Sequence, residues 1–386
     1  MEWIEKNAIE LYECSSGLSK AADQFGFGYP FLSYSDIFHN YYVPEKLLTL
    51  VNSTEKERKS CSVKRGDVFL TRTSETTDEL GMSCVALQDY PNATFNGFAK
   101  RLRPITNEIV PEYASYFFRS SYFRAQCMSL ASLITRASLN EGMIGRLKIR
   151  YPKSKDAQAK IGSILKNYDN LIESNHKRIK ILEQMAENLY KEWFVRFRFP
   201  GHETTPLENG IPKGWKKGEL ADVCCFLRGK NITSSEMIDG PYPVIAAGLD
   251  PSGYHSAANV KGTSVTISNS GANAGYISIH YSDIWAADCS YVSENDTKNI
   301  FFVYEMLRNL SSVITNMQRG AAQPHVYAKD VNQLKMYLPD EKMMSKANIQ
   351  FKAFHQQIFV LTKQNEFLIK QRDLLLPRLM SGKLAV

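Results

Sequence analysis

The chain has 386 residues and a formal net charge of +7. That length is too great for one ordinary core and suits two to four domains, while 44% apolar and 23% charged residues are the composition of a globular protein. No run approaches the roughly twenty apolar residues that span a bilayer, and Glu2, Glu5, Lys6 and Glu10 leave no apolar core for an export signal, so a cytoplasmic protein is expected.

The first segment opens on Trp3-Ile4-Glu5-Lys6, followed by Leu11 and Gly17. Next come Gly28-Tyr29-Pro30-Phe31 and Gly66-Asp67-Val68-Phe69-Leu70-Thr71-Arg72, where Val68 to Thr71 predicts a strand. Pro111 to Leu130, rich in Tyr, Phe and Ala, predicts a helix. The segment leaves through the strand-like Leu147-Lys148-Ile149-Arg150-Tyr151-Pro152.

After Pro152 the apolar period changes to three and four: Ile161, Ile164, Tyr168, Leu171, Ile179, Leu182, Met185 and Leu189. This spacing predicts a long helix from about Ala157 to Val195 with a coiled-coil seam. Phe199 to Pro206, with its Pro, Gly and Thr, is a linker.

Then the pattern starts again. Trp215-Lys216-Lys217-Gly218 precedes Leu220, Val223 and Gly229, and the Trp-to-Gly interval is fourteen residues in both copies. Pro241-Tyr242-Pro243-Val244 echoes the first Tyr-Pro, Thr263 to Asn269 echoes Gly66 to Arg72, and Leu334 to Pro339 is the second exit. A second stripe follows at Phe351, Phe354, Ile358, Leu361, Leu368, Leu375 and Leu379. Asn175 and Asn365 stand at matching places, each followed four residues later by Ile-Lys. A polar residue on a seam fixes register at a cost in stability; just off the stripe it is merely solvated. The expected seam is Ile161, Ile164, Tyr168, Leu171, Asn175, Leu182 and Leu189 against Phe351, Phe354, Ile358, Leu361, Asn365, Leu368 and Leu375. The layout is α+β: a globular unit at 1–152, a helical region at 153–199, a second globular unit at 200–339 and a second helical region at 340–386.

Signatures of catalysis are missing: no dinucleotide or phosphate-binding glycine loop, no H-E-x-x-H, no G-x-S-x-G and no Asn-Pro-Pro-aromatic run. Pro339-Asp340-Glu341-Lys342 superficially resembles a nuclease metal site but lacks its separated carboxylates, and a solvated helix start is the better reading. Seven cysteines, with no C-x-x-C pair, predict free thiols and no metal site.

A binding protein is the better class. Cations suit phosphates, and forked or amide side chains suit base edges. Such residues gather at strand ends and turns. In the first unit they are Thr71, Arg72, Thr73, Ser74, Lys100, Arg101, Arg103 and Arg136; in the second, Lys230, Asn231, Asn269, Ser270, Asn273, Arg319, Gln323 and His325. Each alone suits an ordinary surface loop; the set recurring at matching positions favours DNA.

Along nearly its whole length the sequence resembles the specificity (S) subunits of Type I restriction-modification systems. Carrying the resemblance are the unit openings at Trp3 and at Ile211-Pro212-Lys213-Gly214-Trp215, and the exit Gly320-Ala321-Ala322-Gln323-Pro324-His325-Val326. So do Ala157 to Phe197 and the ending Arg378-Leu379-Met380-Ser381-Gly382-Lys383-Leu384. The first unit departs from the pattern at Ile134 to Leu139, where Arg136 stands in place of Gln323. The resemblance implies two target recognition domains alternating with two helices paired as an antiparallel coiled coil, each domain reading half of a bipartite site in double-stranded DNA. It implies a non-catalytic chain on which two methyltransferase (M) subunits dock, and which restriction (R) subunits can join. S-adenosylmethionine, ATP and Mg are then expected on those partners and none in this chain. A helix of about 39 residues spans roughly 58 Å, and half-site centres roughly 10–15 base pairs apart are expected. Two alternatives are the specificity region of a stand-alone restriction enzyme, which would act on DNA unaided, and a coiled-coil scaffold that binds proteins alone.

Overall fold

The computed structural model describes residues 2–76, 79–130, 132–133, 137–320, 324–384 and 386. Two compact units emerge: unit 1 is Met1–Glu173 with Asn365–Val386, and unit 2 is Ser174–Gln364. Both boundaries fall inside long helices.

The strands of unit 1 are β1 (Trp3–Asn7), β2 (Tyr12–Ser16), β3 (Phe25–Leu32), β4 (Leu50–Val51), β5 (Val68–Thr71), β6 (Thr73–Ser74), β7 (Ser83–Val85), β8 (Thr94–Phe95), β9 (Ala99–Pro104), β10 (Ser132–Leu133), β11 (Ala137–Ser138) and β12 (Lys148–Pro152). Unit 2 has β13 (Leu207–Glu208), β14 (Ile211–Pro212), β15 (Lys216–Glu219), β16 (Leu227–Arg228), β17 (Tyr242–Ile245), β18 (Gly253–His255), β19 (Ser264–Ser268), β20 (Ile277–His280), β21 (Trp285–Ala286), β22 (Cys289–Ser293) and β23 (Lys335–Leu338).

The duplication in the sequence is a duplication of topology. Four-stranded sheets run β2-β9-β5-β7 and β16-β22-β19-β20; three-stranded sheets run β4-β3-β8 and β18-β17-β21. Opening and exit strands close each unit as an antiparallel pair, with Ile4 opposite Tyr151 and Lys216 opposite Leu338. Phe31 pairs in parallel with Thr94, as Val244 does with Trp285. Val68 lies between Leu102 and Val85, as Val265 does between Val292 and Ile279. The repeated glycine has a steric cause: a Cβ at Gly17 would fall 2.2 Å from the Asn96 carbonyl oxygen, and one at Gly229 2.3 Å from that of Ala287. Only glycine lets two backbones come that close.

The stretch from Pro111 to Leu130 is two helices, Pro111–Phe117 and Ser121–Leu130. Ser120 breaks it, its Oγ accepting from the Phe123 amide at 3.3 Å as a new N-cap.

The first long helix runs Lys155–Tyr190 and continues through a wider-wound turn, Lys191–Val195; the second runs Glu341–Met380. Asp340 caps the second, its Oδ1 accepting from the Met343 amide at 2.7 Å. Asp340 is therefore a helix start. In unit 1, Ile161 and Leu165 share the core with Leu376, Leu379 and Met380. In unit 2, Ala186 and Tyr190 share the core with Phe351, and Leu182 packs with Ile358 and Leu361. Within each unit the two segments run antiparallel. Asn175 and Asn365 are both buried on the seam: Asn175 Nδ2 donates to Gln364 Oε1 at 3.2 Å, and Asn365 Nδ2 to the Ile172 carbonyl at 3.5 Å.

One expected seam residue is corrected. Leu171 is 51% exposed, and Ile172, at 9%, faces the partner. The stripe actually steps 161, 165, 168, 172, 175, 179, 182, 186, so Ile164 and Leu171 are its neighbours; Tyr168 on the stripe, and Ile164, Leu189, Phe354, Leu368 and Leu375, are half-buried. Among the described residues no helix is long and apolar enough to cross a membrane.

Candidate nucleic-acid interface

In both units the residue after the central strand is clamped by the same two backbone hydrogen bonds. The Arg72 amide donates to the Phe98 carbonyl at 3.1 Å, and the Asn269 amide to that of Asp288 at 3.2 Å. The Arg72 carbonyl accepts from the Leu139 amide at 2.9 Å, and that of Asn269 from Val326 at 2.9 Å. Three separated segments thus converge on one spot twice. Arg136 and Gln323 each stand three residues before the clamp on the exit segment; both lie outside the described residues.

Several candidates of unit 1 are turned inward. Thr71 is fully buried, its Oγ1 donating to the Glu79 carbonyl at 3.1 Å. Ser74 is buried and donates to Glu79 Oε2 at 2.5 Å. Lys100 and Arg101 are buried because β9 lies inside its sheet. The Lys100 Nζ reaches Ser16 Oγ at 2.7 Å and Glu141 Oε1 at 2.5 Å. The Arg101 guanidinium donates to the Ser60 and Ser62 carbonyls at 3.1 and 2.8 Å. Arg103 grips buried Asp67 with two hydrogen bonds, 2.7 and 2.5 Å. A buried cation must be paired or solvated by carbonyls; Lys100 and Arg101 meet that need inside the fold, and half-buried Arg103 turns its guanidinium to Asp67. Arg72 and Thr73 remain half-buried at its surface. Beside them Tyr34, Thr73, Ser74, Glu75, Glu79 and Phe98 line a notch of about 300 Å³.

In unit 2, Lys230 and Asn231 are exposed directly after Gly229. The Trp285 Nε1 donates to the Lys230 carbonyl at 2.9 Å, which fixes the backbone beneath an ammonium lying 6.0 Å from the indole centroid. Asn269 is 7% exposed, its Oδ1 accepting from Ser290 Oγ at 2.6 Å. Ser270 is buried against the Asp288 carboxylate. Both side chains are engaged within the fold. Asn273 is half-buried in the turn Gly271–Asn273. Arg319 is exposed, paired with Asp330 at 2.8 Å, and exchanges two 2.9 Å backbone hydrogen bonds with His325. His325 bridges to Ser270 and stacks on Tyr327. The Lys230, Asn269 and His325 segments therefore meet.

Sequence reasoning passed over Phe98, Asp288 and Trp285. The turn signal Asn96-Gly97 marks Phe98 as a loop aromatic; Asp288 carries no comparable signal. Among the described residues no three His, Cys, Asp or Glu side chains are placed to hold a metal ion.

A family model described as Type I restriction modification DNA specificity domain matches residues 9–184 and 212–371. The Type I restriction enzyme MjaIX specificity subunit of Methanocaldococcus jannaschii is 24% identical over 417 aligned positions, covering 100% of this chain and 94% of that protein. The putative type I restriction enzyme MjaX specificity subunit of the same organism is 24% identical, over 74% of this chain and 71% of its own. The crystal structure of the Type I restriction-modification S subunit from M. genitalium shares the fold, with a TM-score of 0.65 at 16% identity over 98% of this chain and 96% of that one.

Proposed function

Because the chain belongs to the Type I restriction-modification DNA specificity family, we propose that its two units read the two unlike halves of one split DNA target. One observation carries this reading. A single backbone site recurs in both units with different side chains: Arg72 against Asn269, and Phe98 against Asp288, on the same pair of amide-to-carbonyl hydrogen bonds. A duplicated scaffold with unlike side chains suits two unlike sequences. Exposed Lys230 and Asn231 and half-buried Arg72 and Thr73 are among the groups placed to meet a duplex; phosphate contacts position it and base edges specify it.

The long helices support a spacer role. At 1.5 Å per residue the 36 residues of Lys155–Tyr190 extend about 54 Å. On this reading they fix the number of unspecified base pairs between the half-sites. The chain supplies recognition. Methyl transfer to adenine falls to two docked methyltransferase subunits that hold S-adenosylmethionine, and cleavage to restriction subunits using ATP and Mg, all in the cytoplasm.

The test is an exchange. Replacing residues 216–338 with the corresponding segment of another specificity subunit, followed by methylome sequencing of cells carrying the system, should alter one half-site and keep the other. A change in both halves would overturn the modular reading. Absence of salt-dependent affinity for duplex DNA would leave a protein-binding scaffold. Methylation or cleavage by the purified chain alone, given S-adenosylmethionine and Mg, would make it an enzyme.

A further inference from the structure

We propose that Phe98 is a specificity determinant of unit 1, its ring pressing against the C5 methyl group of a thymine in the half-site that this unit reads. The inference rests on the DNA-reading role above and deepens it.

Phe98 is 57% exposed, yet its backbone is tightly held. Its amide donates to Asn96 Oδ1 at 2.8 Å, and its carbonyl accepts from the Arg72 amide at 3.1 Å. On either side, the Gly97 amide donates to the Leu18 carbonyl at 2.9 Å and the Ala99 amide to that of Asn96 at 3.0 Å. A Cβ at Gly97 would crowd the Leu18 carbonyl oxygen at 3.2 Å and displace the Ser19 hydroxyl, so the bare glycine fits this turn closely. An aromatic ring displayed on a fixed turn loses little entropy when a partner covers it.

The ring lines the notch shared with Thr73 and Ser74, next to the recurring backbone site. The corresponding position in unit 2 is Asp288, whose carbonyl accepts from Asn269 as that of Phe98 accepts from Arg72. The two units thus place an apolar ring and a carboxylate at one equivalent point. The Asp288 carboxylate accepts from buried Ser270, whereas the Phe98 ring stands exposed. A phenyl ring has no strong donor or acceptor and suits the one apolar feature of the major groove, the thymine methyl.

The test uses the complete complex with its methyltransferase subunits and duplexes in which each thymine of the unit 1 half-site is replaced singly by deoxyuridine. At one position the loss of the methyl should weaken binding about fourfold, the equivalent of roughly 0.8 kcal/mol for one buried carbon. In Phe98→Ala that sensitivity should vanish, while sensitivity to substitutions in the other half-site persists and shows the complex intact; Phe98→Leu should retain part of it. A wild-type complex indifferent to every deoxyuridine in that half, or a Phe98→Ala complex with undiminished sensitivity, would overturn the proposal and leave DNA reading intact. A wild-type complex that cannot tell its target from a scrambled duplex would remove the reading itself, and the proposal with it.

Discussion

Arg372 of the second long helix donates to Asp169 of the first, Nη1 to Oδ1 at 2.6 Å, with side-chain exposures of 14% and 12%. The other Asp169 oxygen accepts from Tyr116 at 2.5 Å, and the Arg372 guanidinium lies 5.0 Å from the Tyr41 ring centroid. The pair ties both helix segments to the globular part of unit 1. Removing Arg372 leaves the Asp169 carboxylate with Tyr116 and no cation, so Arg372→Ala should cost about 3 kcal/mol in urea unfolding, and Asp169→Ala less, because the Arg372 guanidinium keeps Asp373 at 2.9 Å. The double variant Asp169→Leu/Arg372→Met should recover a good part of that loss.

Acid should weaken unit 2 through His280. Burial lowers its pKa to about 4 from the usual 6.5, and its Nε2 lies 2.9 Å from Thr266 Oγ1. Because the folded value is depressed, the unfolded chain takes up the proton first. Stability from this group is complete above pH 6.5 and falls as pH drops towards 4. Each pH unit between the two values is worth about 1.4 kcal/mol, so the loss by pH 4 is roughly 3 kcal/mol. His280→Gln should flatten the dependence of Tm on pH across that window; an unchanged slope would put the acid sensitivity elsewhere.

Arg101 and Lys230 should separate stability from affinity. Arg101 is buried on two carbonyls, so Arg101→Met should lower Tm and leave DNA affinity of the folded protein nearly unaltered. Lys230 is exposed. Lys230→Ala should leave Tm in place, weaken binding evenly across sequences and reduce the salt slope by about one. Binding isotherms at three salt concentrations decide between these outcomes.

The spacer reading predicts a shift of register. Asn175 meets Gln364 and Leu182 packs with Ile358, so Lys180 lies opposite Val360. Seven residues inserted after Lys180 and seven after Phe359 keep the seam in phase and add about 10 Å. A methylation map should then show the same half-sites with about three more unspecified base pairs between them. An unchanged spacer would detach the helices from that role.

Periodicity made the helices and the duplication legible, because both depend on spacing that any sequence displays. The Leu171 error came from the same source. A 3-4 stripe and its neighbouring row differ by one residue, and Ile172 competes for the seam on equal apolar terms. The site was less legible. Lys100, Arg101 and Arg103 are cations in a row, which in isolation favours a surface; their burial depends on Ser16, Ser60, Ser62 and Asp67, up to 84 positions away. Asn269 likewise hides behind Ser290. Such pairings are set by tertiary structure, while the equivalence of Arg72 and Asn269 was visible because duplication preserves order.

The division of both long helices between the units has a consequence for how the protein is made. Unit 2 is one continuous stretch, Ser174–Gln364, whereas unit 1 needs Asn365–Val386 to join residues synthesised long before. The core of unit 1 takes in Leu376, Leu379 and Met380. On the ribosome, therefore, the module encoded second completes first. The module encoded first must wait, with Ile161 and Leu165 uncovered, until Leu376, Leu379 and Met380 have been translated and have cleared the exit tunnel. Exposed apolar surface during that interval is an aggregation hazard, and it lies on the module whose residues are made first.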